Sequence, residues 1–275
     1  MKQKKSKERI LILGASGFLG HAIYTELCSY FNTFGTYCTD NKSLEKNQHF
    51  FQYKLEEDDI FEIIESIKPS LIISALRGDF SAQVIAHHHI AEYALKHNSK
   101  IIFLSSSNVF DAYSKFPSYE SDKTYSNSIY GHFKIKIENL FLRLPINSAI
   151  LRLPMVFGPH STRMTELKEL LKQKEPIEIF PNLIMNVTTD SRVTQQIHYI
   201  INRKRTGIFH LGSLDLVHHD DFIEDIINKM HFDKPIYKRV YTSNDERYLA
   251  VLPKYNLLPK YLQITSEQVI DSSLL

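Results

Sequence analysis

The chain has 275 residues, a formal net charge of +2 and two cysteines, Cys28 and Cys38. That length allows one large domain or two sharing a core. So few cysteines exclude a disulfide scaffold and fit a reducing, cytoplasmic setting. Near-neutral charge argues against nucleic acid as a partner, and no apolar run approaches the ~20 residues of a membrane span.

Residues 1–8 form a basic, polar lead-in, expected as a solvated tail; no apolar core of the kind a secretory signal requires lies between it and the glycines. Arg9-Ile10-Leu11-Ile12-Leu13 reads as a buried strand. Leu19, Ala22, Ile23, Leu27 and Tyr30 then recur at helical spacing. A second strand is expected over 33–38. Ile60, Ile63, Ile64 and Ile67 mark a helix that stops before Pro69. Leu71-Ile72-Ile73 reads as a strand, 84–97 as a helix, and Lys100-Ile101-Ile102-Phe103-Leu104 as another buried strand. Ile129, Phe133, Ile137, Leu140 and Leu144 mark a long helix, and 149–153 one more strand.

Apolar strands separated by amphipathic helices imply an α/β fold, a Rossmann-type doubly wound parallel sheet spanning residues 9–153. From 154 to 275 the pattern loosens, and a smaller C-terminal substrate domain is expected. There, 166–174 and 222–230 read as helices, 176–190 as irregular, and 208–211 as a strand able to return to the main sheet. The two cysteines are expected in the core.

Three constellations carry chemistry. Gly14-Ala-Ser-Gly-Phe-Leu-Gly20 follows a strand and opens a helix. Gly14 permits a tight turn, Gly17 lets backbone approach a pyrophosphate, and Gly20 lets helix and strand pack closely. The helix start offers free amides to phosphate. Tyr130-Gly-His-Phe-Lys134 places a phenol and an ammonium one turn apart on one helix face, where the cation favours phenolate. Ser105-Ser106-Ser107-Asn108 ends a strand at the sheet edge where ligands bind.

Together these motifs resemble the extended short-chain dehydrogenase/reductase superfamily over nearly the whole chain. Within it, Leu104-Ser-Ser-Ser-Asn-Val-Phe-Asp111 resembles the Leu-Ser-Thr-Asp-Tyr-Val-Phe-Asp stretch of dTDP-4-dehydrorhamnose reductases. The segments 130–138 and 151–159 sit where that family has comparable stretches. Aligning on Val109-Phe110 puts the catalytic hydroxyl on Ser106, ahead of Ser105 and Ser107. The family's Asp-Tyr is here Ser107-Asn108, its acidic residue after the third strand is Lys54 before Leu55, and Ser74-Ala75-Leu76-Arg77-Gly78-Asp79 only partly matches its Ala-Ala loop.

The resemblance implies NAD(P)H-dependent reduction of a keto group on a nucleotide-linked deoxysugar. It implies Ser106, Tyr130 and Lys134 as catalytic residues. The cofactor would be held by Gly14, Ser16, Gly17, Phe18, Leu19, Gly20, Leu55, Ser74, Ala75, Leu76, Ser105, Tyr130, Lys134 and Leu153. Asp40 could take the ribose hydroxyls of NAD, whereas Thr39 and Lys42 tolerate a 2′-phosphate, so NADPH is favoured slightly over NADH. Candidate substrate contacts are Arg77, Asn108, Met155, Phe157, Arg163 and Arg192, with His160 beside them. A nucleotide-sugar epimerase on the same scaffold is one alternative. A non-catalytic dinucleotide-binding regulatory subunit, as in methionine adenosyltransferase, is another. A homodimer is left open. The three adjacent histidines at 87–89 point in different directions on a helix, and they and the pair at 218–219 are expected to pack or lie at the surface, with no metal bound.

Overall fold

In the computed structural model, residues 8–232 and 234–274 are described; the basic lead-in at 1–7 lies outside them. The strands are β1 (Arg9–Leu13), β2 (Asn32–Tyr37), β3 (Phe50–Gln52), β4 (Leu71–Ser74), β5 (Lys100–Ser106), β6 (Ser148–Leu153), β7 (Met155–Phe157), β8 (Ile177–Ile179), β9 (Leu183–Met185), β10 (Val187–Thr189), β11 (Gly207–His210), β12 (Val217–His218), β13 (Tyr237–Arg239) and β14 (Arg247–Leu249). The helices are α1 (Phe18–Leu27), α2 (Lys42–Glu45), α3 (Ile60–Ile67), α4 (Phe80–His97), α5 (Ile129–Arg143), α6 (Thr162–Gln173), α7 (Asp190–Asn202), α8 (His219–Lys229) and α9 (Ser266–Leu274).

A seven-stranded sheet runs in the order β11-β6-β5-β4-β1-β2-β3. β1 pairs in parallel with β2 and β4, β2 with β3, and β4 with β5. This is the doubly wound order, with its switch point beside β1. The strand expected near 208–211 is β11, at one edge. The central strand β1 is apolar because both faces are covered: Ile10, Leu11, Ile12 and Leu13 have no exposed surface. Caps set the helix limits. Asp59 and Asp79 accept from the amides of Phe61 and Ala82, and left-handed Lys68 and Asn98 end α3 and α4.

Contacts divide the chain into two compact units. The first comprises the described part of Met1–Leu104, with Phe133–Leu151 and Ile197–Gly207; the second comprises Ser105–His132, Arg152–Gln196 and Ile208–Leu275. The second has its own core, built on Phe157, Met164, Leu167, Met185, Phe222 and Ile226. α6 starts at Thr162, earlier than periodicity indicated, because the Ser161 hydroxyl caps it at the Met164 amide. The stretch read as irregular holds three short strands. Each pairs with a distant segment: β8 with β13, β9 with β12 and β14, and β10 with β7.

The cysteines are a correction. Both are exposed, because Cys28 caps the end of α1 and Cys38 lies just past β2, where neither faces inward. His87 is buried, His88 exposed and His89 half-buried, as one helical turn dictates. Among the described residues no helix is long and apolar enough to cross a membrane.

Candidate active site

The glycine turn leaves β1 through Gly14 at φ +78°, a conformation that glycine adopts without strain. A side chain there would press to 2.7 Å from the Ala75 carbonyl oxygen. The Thr36 hydroxyl accepts the Gly14 amide at 2.9 Å, and the Gly17 amide closes the turn onto the Gly14 carbonyl at 3.0 Å. At Gly20 a Cβ would lie 2.0 Å from the Gly14 oxygen, so only glycine lets α1 approach this closely. Gly17 differs. It is exposed, caps α1 without any side-chain hydrogen bond, and a Cβ there would meet only the Gly14 oxygen, at 3.4 Å. The result is an exposed glycine with open space at the N-terminus of a helix, which fits the approach of a dinucleotide's diphosphate.

Of the other residues expected at the cofactor, Ser16, Thr39, Asp40 and Lys42 are exposed, and Phe18, Leu19, Leu55, Ala75 and Leu76 are half-buried. The Asp40 carboxylate accepts from Gln52 Nε2 at 2.7 Å. Asn41 caps the short α2 that begins at Lys42. Ser74 is buried, and its hydroxyl donates to His87 Nε2 at 2.9 Å, because His87 Nδ1 donates to the Gln83 carbonyl. Burial pushes the His87 imidazole down to about 3, so it stays neutral.

Ser106 closes β5 half-buried, with Ser105 and Ser107 buried on either side. Its hydroxyl donates to Asn108 Oδ1 at 3.0 Å and accepts the Asn108 amide at 3.2 Å. A 3-10 turn over Ser107–Phe110 follows, and beyond it Asp111 organises the entry to α5. Its carboxylate accepts from the Ser126 hydroxyl at 2.8 Å, the Asn127 amide at 2.6 Å and the Ser128 hydroxyl at 2.5 Å. Ser128 in turn caps α5 by accepting the Gly131 amide at 3.0 Å. Burial raises the Asp111 pKa, but the bonds from Ser128, Asn127 and Ser126 outweigh it and hold the carboxyl below its usual 3.8.

The first turn of α5 then packs against the 3-10 turn. A Cβ on Gly131 would fall 2.0 Å from the Ser126 hydroxyl and 2.3 Å from the Asn108 carbonyl. Tyr130, the residue before it, remains partly exposed. One turn on, buried Lys134 donates from Nζ to the Leu104 carbonyl of β5 at 2.9 Å and sits 4.6 Å from the Phe103 ring centroid. Burial lowers its pKa to about 7; Glu138 opposes that shift and Arg77 adds to it. The helix bearing Tyr130 and Lys134 is thus fastened to the strand that ends in Ser106.

The remaining expected residues scatter. Arg77 and Arg163 are exposed and Met155 is half-buried, whereas Leu153 is buried. Phe157 faces the core of the second unit, edge-on to Phe222 with centroids 4.9 Å apart. Arg192 donates from Nη1 to the Tyr261 carbonyl at 2.8 Å and to Gln195 Oε1 at 3.0 Å. Sequence reading missed Thr36, Asp111, Ser126, Ser128 and Gly131. Ser128 just ahead of an apolar-periodic run was the readable signal, as an N-cap pattern.

A glycine turn at the switch point, a hydroxyl ending the fifth strand and a Tyr-x-x-x-Lys helix fastened to that strand are the arrangement of an extended short-chain dehydrogenase/reductase. Within that class the chain belongs to the family described as RmlD substrate binding domain, whose model matches residues 8–261. It is similar to dTDP-4-dehydrorhamnose reductase of Aggregatibacter actinomycetemcomitans, 26% identical over 251 residues that cover 84% of this chain and 81% of the relative. The crystal structure of dTDP-4-dehydrorhamnose reductase from Bacillus anthracis, in complex with NADP, shares the fold with a TM-score of 0.78 at 19% identity, covering 97% of this chain and 98% of that one. Methionine adenosyltransferase 2 subunit beta of Danio rerio is 29% identical over 163 residues, or 54% of this chain and 48% of that protein.

The packing at Gly131 gives an expectation of opposite sign to helix propensity. Alanine is ordinarily better than glycine in a helix by about 1 kcal/mol, yet here its methyl must displace Ser126 or the Asn108 backbone. Gly131→Ala therefore lowers stability by about 1–3 kcal/mol, as overpacking does. Denaturant unfolding measures it, and a stabilised variant would refute the close approach.

Proposed function

We propose that this protein is an NAD(P)H-dependent reductase of a keto group on a nucleotide-linked deoxysugar, acting as dTDP-4-dehydrorhamnose reductases do. The observation that supports this reading is the bond from Lys134 of α5 to the Leu104 carbonyl of β5, the strand that ends in Ser106. The cofactor, when bound, supplies hydride to the carbonyl carbon. Tyr130 donates the proton to the developing alkoxide. Ser106 donates a hydrogen bond to the same oxygen as charge grows there. Lys134 binds the nicotinamide ribose hydroxyls and keeps positive charge near the phenol. Gly17 and the first amides of α1 receive the diphosphate, and Ser105 and Leu153 line the nicotinamide end.

Exchanging Tyr130 for Phe removes one hydroxyl from a partly exposed side chain, so folding and cofactor affinity should persist. Single-turnover oxidation of NAD(P)H with dTDP-4-dehydrorhamnose should slow by roughly 10²–10⁴-fold. Equal rates for wild type and Tyr130→Phe would remove the tyrosine from the proton transfer. A wild type that binds dinucleotide but turns over no keto sugar would favour a second reading, a regulatory subunit, to which the partial similarity to methionine adenosyltransferase 2 subunit beta points.

The preferred cofactor in this proposal is NADPH. Thr39 and Lys42 are exposed past the end of β2, while Asp40 is already engaged by Gln52. Titration by nicotinamide fluorescence should give tighter binding of NADPH than NADH, and Lys42→Glu should narrow the gap. Gly17→Val has room to fold but takes the space through which the diphosphate would approach, so it should bind neither.

Lys134 also makes cofactor binding pH-dependent. Its charged form is the ribose donor, and in the free protein it loses its proton near pH 7. Above that pH, binding must first restore the proton. Affinity should therefore fall as pH rises from 7 to 9, by up to roughly tenfold per unit. Lys134→Met should bind more weakly and with a flat profile; a sloping profile in that variant would assign the dependence elsewhere.

A further inference from the structure

We propose that Asn108 is a positioning residue for Ser106, holding the serine oxygen in place and parking its proton until a substrate oxygen arrives. The inference rests on the reductase reading for its chemistry, but the contacts that carry it belong to the protein alone. Ser106 and Asn108 close a ring of two hydrogen bonds: the hydroxyl donates to the side-chain carbonyl at 3.0 Å, and the Asn108 backbone amide donates back to the hydroxyl oxygen at 3.2 Å. A hydroxyl has one proton to give, and here it is given to Asn108.

The same residue meets the other half of the site. Its backbone carbonyl accepts the Asp111 amide at 3.3 Å and lies 2.3 Å from where a Gly131 side chain would begin. One residue thus sets both the serine oxygen and the helix turn next to Tyr130. When a substrate carbonyl enters, the Ser106 proton swings to it by rotation about Cβ–Oγ alone. The oxygen keeps two partners throughout, because the Asn108 amide still donates to it and the substrate oxygen takes over from the Asn108 side chain as acceptor. That retained bond also polarises the hydroxyl, since a donor bonded through its own oxygen donates more strongly.

A side chain with an acceptor close to its Cβ is required to close this ring two residues on. Asparagine has one. The tyrosine at the corresponding place in the resembling stretch does not, so the device comes from this chain's own departure at 108. It also gives Asn108 a role other than the substrate contact expected from sequence.

The test combines crystal structures of the wild type, Asn108→Ala and Asn108→Asp with single-turnover rates for wild type, Ser106→Ala, Asn108→Ala and the double variant. The Ser106 hydroxyl should leave its rotamer in Asn108→Ala and keep it in Asn108→Asp, which retains the acceptor and guards against a variant that merely misfolds. Turnover in Asn108→Ala should fall about tenfold with KM unchanged. That is less than the roughly 10²–10³-fold cost of deleting a donor outright. In the Ser106→Ala background, Asn108→Ala should cost nothing further. An unmoved Ser106 in Asn108→Ala, or losses that multiply in the double variant, would overturn the proposal. If the wild type reduces no keto sugar, the reductase reading falls by itself, and the rotamer comparison alone decides the role of Asn108.

Discussion

The site depends on one close approach, between the first turn of α5 and the 3-10 turn that follows β5. Gly131 makes it sterically possible and Asp111 makes it stable. A carboxylate taking three hydrogen bonds, from Ser126, Asn127 and Ser128, fixes the loop from which the helix starts, and bonds to a charged group contribute roughly 1.5–3 kcal/mol each. Because Asp111 is held below 3.8, this clamp is complete above about pH 4 and is lost only as acid protonates it. Tyr130 sits in the helix turn that these contacts fix.

Lys134 shows the opposite economy. Burying an ammonium disfavours its charged form, and the fold compensates with a carbonyl from β5, the face of Phe103 and Glu138 one turn along. The compensation is incomplete, which leaves the lysine able to exchange its proton near neutrality. The buried histidines have gone the whole way. His87, His210 and His219 are all pushed down by burial, to about 3, 3 and 4. His87 and His210 each donate from Nδ1 to a backbone carbonyl, while the His219 Nδ1 accepts the Phe180 amide. The histidine runs are therefore divided between packing and surface.

The second unit is held by polar clamps between distant segments. Asn186, fully buried, bonds both the amide and the carbonyl of Val251 and the carbonyl of Ser213. The Glu120 carboxylate accepts the amides of Lys254, Tyr255 and Asn256. Such groups are costly to bury unless satisfied, and here they are satisfied by backbone that arrives from 27 to 136 residues away. This is why strands of two or three residues persist there without an alternating pattern of their own.

What the amino-acid sequence by itself determined was the part governed by local periodicity and special backbone. The apolar strands, the helix stripes, Gly14 at positive φ and the Tyr130–Lys134 spacing are each legible within a few residues, so the parallel sheet and the position of the glycine turn follow from them. What only the tertiary structure decided depends on contacts between segments far apart. Thr36 pins Gly14 from the neighbouring strand. Phe157 turns into a core that no short window reveals. Arg192 is spent on the Tyr261 carbonyl. Cys28 and Cys38 lie at element ends and face out. A side chain's partners are set by which surfaces meet, and a linear pattern records only which face of its own element a residue occupies.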